Sequence, residues 1–208
     1  MNRNIGGFSL LAVAVALAAC GGDDAPKVAV TDLAAGNYTV SVGDANAPTV
    51  GKYYAAADGS RLLVLADSND QATQLYRRAV GGTWVAVPAS GQDTSITLLR
   101  SDALPVAAVN LAALAGNYTT ALAVGGVASF AVNASGDITA GSSACKLSGK
   151  LSAGALPNTL ALSLSAQACG SLPASSTGVL AVDADYAPAV RLVADNGAQL
   201  LDLWAYRE

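Results

Sequence analysis

Thr159-Leu160-Ala161-Leu162-Ser163-Leu164-Ser165 is the stretch on which the fold of this chain turns. Leucine alternates with small or polar residues, and a period of two sends one row of side chains inward and the other toward water. The pattern recurs upstream. Phe130 and Val132 alternate with Ser129, Ala131 and Asn133, and Tyr118, Thr120, Leu122 and Val124 with Thr119, Ala121 and Ala123. Between such runs lie Asp58-Gly59, Gly81-Gly82, Gly125-Gly126, Ser135-Gly136-Asp137 and Asn196-Gly197. These pairs accept the positive φ angles of tight hairpins. The reading is all-β, an antiparallel meander. A meander has to hide its edges, and closing into a small barrel does so. The expectation is a small up-and-down β-barrel of about eight strands over 116–208. About six strands are expected over 33–105, as a smaller sheet or barrel-like half. Residues 106–115 read as a linker with one short helical turn.

The two halves echo one another. Leu33-Ala34-Ala35-Gly36-Asn37-Tyr38-Thr39 recurs as Leu114-Ala115-Gly116-Asn117-Tyr118-Thr119. Arg61-Leu62-Leu63-Val64-Leu65-Ala66-Asp67 is matched by Arg191-Leu192-Val193-Ala194-Asp195. Two anchors in the same order suggest duplication, although alanine-rich sequence also generates chance matches.

Composition removes whole classes of chemistry. The chain has no histidine, which excludes Ser-His-Asp and Cys-His nucleophiles and His-ligated zinc or copper. Glutamate occurs only at Glu208, so glycosidase chemistry would rest on aspartates alone. Without Arg3, ten basic residues face fifteen acidic ones with no basic patch, which argues against nucleic acid as a partner. No cofactor is implied.

The N-terminus carries the signal for location. Arg3 precedes an apolar run from Phe8 to Ala19, too short to span a bilayer, which takes about 20 residues. Leu17-Ala18-Ala19-Cys20, followed by Gly21, resembles the bacterial lipobox. The resemblance implies a lipoprotein signal peptide over 1–19 and a palmitate-type acyl anchor on Cys20, followed by a tether over 20–32. Two or more chains hold firmly where one does not. The absence of Asp after the cysteine implies the outer membrane, with the periplasmic or surface face left open.

With Cys20 lipidated, Cys145 and Cys169 remain as an even pair in an oxidising compartment, and a disulfide bond is the first reading. Buried free thiols are the alternative. The turn-rich Gly154-Ala155-Leu156-Pro157-Asn158 lies midway between them. Directly opposed cysteines would set Leu147 and Leu151 against the serine row of 163 and 165. A one-residue bulge cures this, as does a Cys169 lying just past its strand beside Gly170. Gly116-Asn117-Tyr118, Gly136-Asp137-Ile138, Cys145, Ser148-Gly149 and Cys169 follow in an order similar to uncharacterised β-rich envelope lipoproteins of proteobacteria. That resemblance implies a fold and a location, not an activity.

Several constellations compete with simpler readings. Asp183 and Asp185 on a strand would share one face beside Tyr186, able to share a proton or hold a cation; a solvated face near a turn is the simpler account. Asp67-Ser68-Asn69-Asp70 has oxygen ligands at short spacing but reads better as a hairpin turn. Ser143 and Lys146 have Ser-x-x-Lys spacing in a strand setting. Trp84, Trp204 and Tyr206, with Tyr53, Tyr54 and Tyr76, either line a ligand contact or pack the core. The functional expectation is a non-enzymatic binding or structural module with a protein or glycan partner. A hydrolase inhibitor using the loop 170–177, or an Asp- or Ser/Lys-based enzyme, is the alternative.

Overall fold

The computed structural model describes residues 26–123 and 125–208. The expected signal peptide over 1–19 and Cys20 lie outside the described residues. The first half contains β1 (Val28–Val30), β2 (Gly36–Asp44), β3 (Ala47–Ala55), β4 (Arg61–Ala66), β5 (Ala72–Arg78), β6 (Val85–Val87), β7 (Thr94–Ile96) and β8 (Leu98–Leu104). A 3-10 helix, Leu111–Leu114, leads into the second half. There follow β9 (Gly116–Ala121), β10 (Val127–Val132), β11 (Asp137–Ala140), β12 (Lys146–Ala153), β13 (Thr159–Gln167), β14 (Ser175–Ala181), β15 (Ala189–Asp195) and β16 (Leu200–Arg207).

The second half is a closed antiparallel barrel in which each strand pairs with its sequence neighbour and β16 closes onto β9. The expected alternation holds. On β13, Leu160, Leu162 and Leu164 are buried while Ser163 and Ser165 are exposed. Leu147, Leu151, Leu180, Leu192, Leu201 and Phe130 fill the interior with them. Phe130 stands opposite Tyr118, and their rings stack at 5.5 Å, a cross-strand pair that fixes register. An apolar inside with serines outside is the reverse of a lipid-facing barrel. Gly149 and Gly178 flank β13, and a Cβ on either would lie within 2.1 Å of a neighbouring strand's carbonyl oxygen. The tight wall depends on bare backbone there.

The first half is not a barrel but an open six-stranded sheet, ordered β6-β5-β4-β3-β2-β8. β1 and β7 form a separate parallel pair, and Val30 and Ile96 pack onto one sheet face with Tyr53, Leu63, Tyr76 and Trp84. Asp32 accepts hydrogen bonds from Arg61 and Arg78. Residues 28–32 therefore belong to the folded body and not to the tether expected over 20–32. The linker is docked too: Val109, Leu111 and Leu114 pack on the barrel core.

The other sheet face meets the outside of the barrel. Tyr54, Leu62, Val64, Leu75 and Val87 share one apolar cluster with Val179, Ala181, Tyr186 and Val193. Each leucine and valine among them contributes about 1.5–3 kcal/mol when fully buried, so the seam is a core in its own right. β4 and β15 are consequently covered on both faces; residues 62–66 read as a continuous apolar run, and β15 as one broken by Arg191. This accounts physically for the Arg61/Arg191 echo. The Tyr38/Tyr118 echo has a shared contact: each phenol donates to the carbonyl four residues back, Ala34 at 3.1 Å and Leu114 at 2.9 Å.

Candidate functional site

Polar groups gather along the seam. The chain leaves β14 at Ala181 and makes a short 3-10 turn, Ala184–Tyr186. That turn separates the two carboxylates that a strand would have aligned, so the Asp183/Asp185 pair weighed from the sequence does not form. Asp183 is buried and Asp185 is exposed. Asp183 accepts hydrogen bonds from Asn37 Nδ2 at 2.6 Å, Asn158 Nδ2 at 2.8 Å and the Tyr54 hydroxyl at 2.7 Å. Asp185 pairs instead with Lys52. The solvated-face account fails for Asp183 as well, since its donors come from β2, β3 and the β12–β13 turn.

Asn158 is the pivot of that turn. Its φ of 55° lies in the left-handed region, which asparagine tolerates better than most residues. Its Oδ1 accepts from the Ala107 backbone at 2.8 Å, and Nδ2 also donates to the Pro105 carbonyl at 3.0 Å. One side chain thus joins linker, barrel and Asp183. A second cluster lies on β15 and β16. Arg191 is buried and makes two bonds of 2.8 Å to Asp202, whose Oδ2 also accepts from the Ala72 backbone at 2.7 Å. Burial opposes the charge on Arg191, but the hydrogen bonds and charge of Asp202 outweigh it and raise its pKa. Arg77 reaches from β5 to buried Asp195 at 2.8 and 3.2 Å. Burial, reinforced by Tyr186 and the Asp183 charge, pushes the Tyr54 phenol well above its usual pKa.

Several openings border the seam. An alanine-walled cleft of about 670 Å³ lies beside Ala56, Ala107 and Asn158, but the polar atoms of that asparagine are already engaged. A depression of about 570 Å³ is lined by Trp204, Tyr206, Leu172, Asn69, Gln71 and Asp202. Trp204 and Tyr206 alternate on the outer face of β16, while Leu201, Leu203 and Ala205 point inward. Tyr206 is half exposed. Trp204 stands edge-on to Tyr186 at 5.0 Å and beneath Arg191 at 4.8 Å. Its indole Nε1 is buried with no hydrogen-bond partner among the described residues. Trp84 does not join them; it packs with Tyr53 in the sheet core, 6.2 Å away, under Arg78.

The remaining candidates have local roles. The sulfurs of Cys145 and Cys169 stand at disulfide distance, 2.04 Å. Lys146 pairs with Gln167, so Cys169 lies past its strand, and Ala168 takes a φ of 56° to bring it back. This is the second of the two registers expected. Ser143 donates to the Cys145 carbonyl at 2.7 Å and Lys146 to the Gly141 carbonyl at 2.8 Å, not to each other. Asp67 caps the β4–β5 turn, accepting from the Asn69 and Gln71 backbones, which lower its pKa. The segment 170–177 folds back: Leu172 packs on the barrel, Pro173 is buried, and Ser175 opens β14. Among the described residues, no group of three or more Asp, Glu or Cys side chains is arranged to hold a metal ion. Sequence reasoning missed Arg191, Asp202, Asn37 and Asn158. Arg191 had a signal, a cation inside the apolar run Ala189-Val190-Arg191-Leu192-Val193; the asparagines had none. No family model, curated protein or solved structure matches the chain.

Proposed function

We propose that this chain is a membrane-anchored envelope lipoprotein whose body is a non-enzymatic binding module for a protein or glycan. The observation that carries the reading is the depression beside β16. There an exposed tyrosine and a tryptophan with a buried, unpaired N–H sit next to the polar turn at Asn69 and Gln71. Aromatic faces rimmed by amides and a carboxylate suit sugar rings and protein side chains alike. The carboxylates weighed for catalysis are engaged in joining sheet to barrel, which supports a scaffold over a reactive centre. The anchor rests on Leu17-Ala18-Ala19-Cys20.

One experiment in two arms tests this. Cells fed labelled palmitate are expected to label the wild-type chain and not Cys20→Ser, which leaves the membrane fraction. Partner retention from envelope extract is expected to fall in Tyr206→Ala and to persist in Trp84→Phe, whose ring lies in the sheet core. An unlabelled wild type removes the anchor; equal retention by the two variants removes the site.

A further inference from the structure

The open sheet treats its two edges differently. β6 is three residues long and is followed at once by Pro88, which has no N–H to offer a further strand. β8 is seven residues long and pairs only with β2. Every residue from Leu99 to Ala103 is exposed, and Leu99 leaves 48% of its surface in water. An exposed, unpaired edge of this length is a template for another strand.

Its sequence, Leu98-Leu99-Arg100-Ser101-Asp102-Ala103-Leu104, is complementary to itself about Ser101. In an antiparallel pair centred there, Ser101 meets Ser101 and Arg100 meets Asp102 on both sides. Shifting the centre to Arg100 or to Asp102 sets like charges opposite each other, which destabilises a cross-strand pair. A parallel in-register pair does the same at both positions. The bulge opposite Ser41 and Val42 falls at Leu99 and leaves the Arg100–Asp102 triplet regular. Within one chain these two side chains pair with each other while largely exposed, at 74% and 50%, so exchanging that contact for one across the axis has little desolvation to overcome.

We propose that β8 is a self-association surface. Two copies of this chain pair antiparallel through it, with a two-fold axis at Ser101, and join two open sheets into one. Such an isologous contact is self-limiting, because each sheet has one long free edge. Paired strands of this length bury less than the roughly 1,200 Å² of a stable interface, so the association is weak and reversible.

Ser101→Cys in the full chain tests it. Opposed residues of an antiparallel pair have Cα atoms about 4.5–5.5 Å apart, a span that a disulfide bridges. Mild oxidation is expected to give a covalent dimer on a non-reducing gel, with only background from Ser90→Cys in an exposed loop. On the Ser101→Cys background, Arg100→Asp is expected to lower the dimer yield about tenfold, and adding Asp102→Arg to restore it. Unchanged Trp84 fluorescence confirms that each variant is folded. Equal cross-linking from position 90, insensitivity to Arg100→Asp, or a charge-swapped pair that stays monomeric overturns the proposal.

Discussion

Eight strands of this molecule close through β16 and β9, whereas six stop at β6 and β8. The barrel needs nothing outside itself to bury Leu147, Leu151 and Leu192, each fully enclosed. The sheet buries one face under β1 and β7 and leaves the other to the barrel wall. Dependence therefore runs one way: the sheet lacks a covered second face without the barrel, while the barrel keeps its interior without the sheet. The polar ties across the seam follow from that asymmetry. Asp183, Asp195 and Asp202 are barrel-side carboxylates, and each accepts a donor from the sheet side.

The largest expected effect comes from Asp183→Ala. It leaves the buried Asn37 amide without its acceptor and the Tyr54 hydroxyl with Tyr186 alone, at a cost of about 1–3 kcal/mol for each group. The damage should be lopsided. Amides of β3 and β4 are expected to lose hydrogen-exchange protection at lower urea than those of β12 and β13. If both sets melt together, the seam is mutual rather than one-way. Replacing Cys145 and Cys169 by serine comes next, removing a cross-link that spans 24 residues and is worth about 3 kcal/mol in the chain-entropy model. That loss falls on the barrel and should take the sheet with it. A sheet that stays protected while the barrel opens would contradict the same asymmetry.

The barrel was legible and the seam was not, for reasons visible in particular residues. The leucine alternation of β13 reports a neighbour two residues away in the same strand, and each Gly-containing pair read from the sequence as a hairpin turn lies between paired strands. The disulfide register could be narrowed to two choices because leucine and serine rows must face opposite ways. Asp183 carries no such local mark. It looks like any polar residue near a turn, and its burial is decided by Asn37, 146 residues away. For the first half the sequence left two forms open, a sheet or a barrel-like half, and local pattern did not choose between them. Leu62-Leu63-Val64-Leu65 says that β4 is covered on both faces but not by what.

Tyr54→Phe sharpens the comparison at the seam itself. Losing the hydroxyl bonded to Asp183 is expected to cost about 1–3 kcal/mol near neutral pH. The pH dependence has a definite sign. The folded phenol has a pKa raised above 10.0, first by burial. Its contribution is fully present below pH 10 and is lost as pH rises above it, when the unfolded chain ionises and the folded one resists. Wild type and Tyr54→Phe should therefore converge in stability as pH rises above 10 in urea melts followed by tryptophan fluorescence. Parallel curves would mean that Tyr54 does not titrate as a buried group.

The smallest effects belong to two exposed carboxylates, one in each region. Asp137 in the barrel is lowered to about 2 by hydrogen bonds from Lys150, Asn133 and Ser135. Asp32 on the sheet is lowered chiefly by its hydrogen bonds to Arg78, with Arg61 adding to them. A depressed carboxylate contributes stability above its unfolded value of 3.8. For Asp137 that contribution disappears as pH falls through 3.8 toward about 2. Each should act on its own region first. Asp137→Asn is expected to flatten the acid limb reported by β12 amides, and Asp32→Asn the limb reported by Trp84 in the sheet core. Because the sheet leans on the barrel, Asp137→Asn should also move the Trp84 limb slightly, whereas Asp32→Asn should leave the β12 amides unchanged. A reversed pattern, with the sheet carboxylate setting the acid stability of the barrel, would place the dependence in the opposite direction.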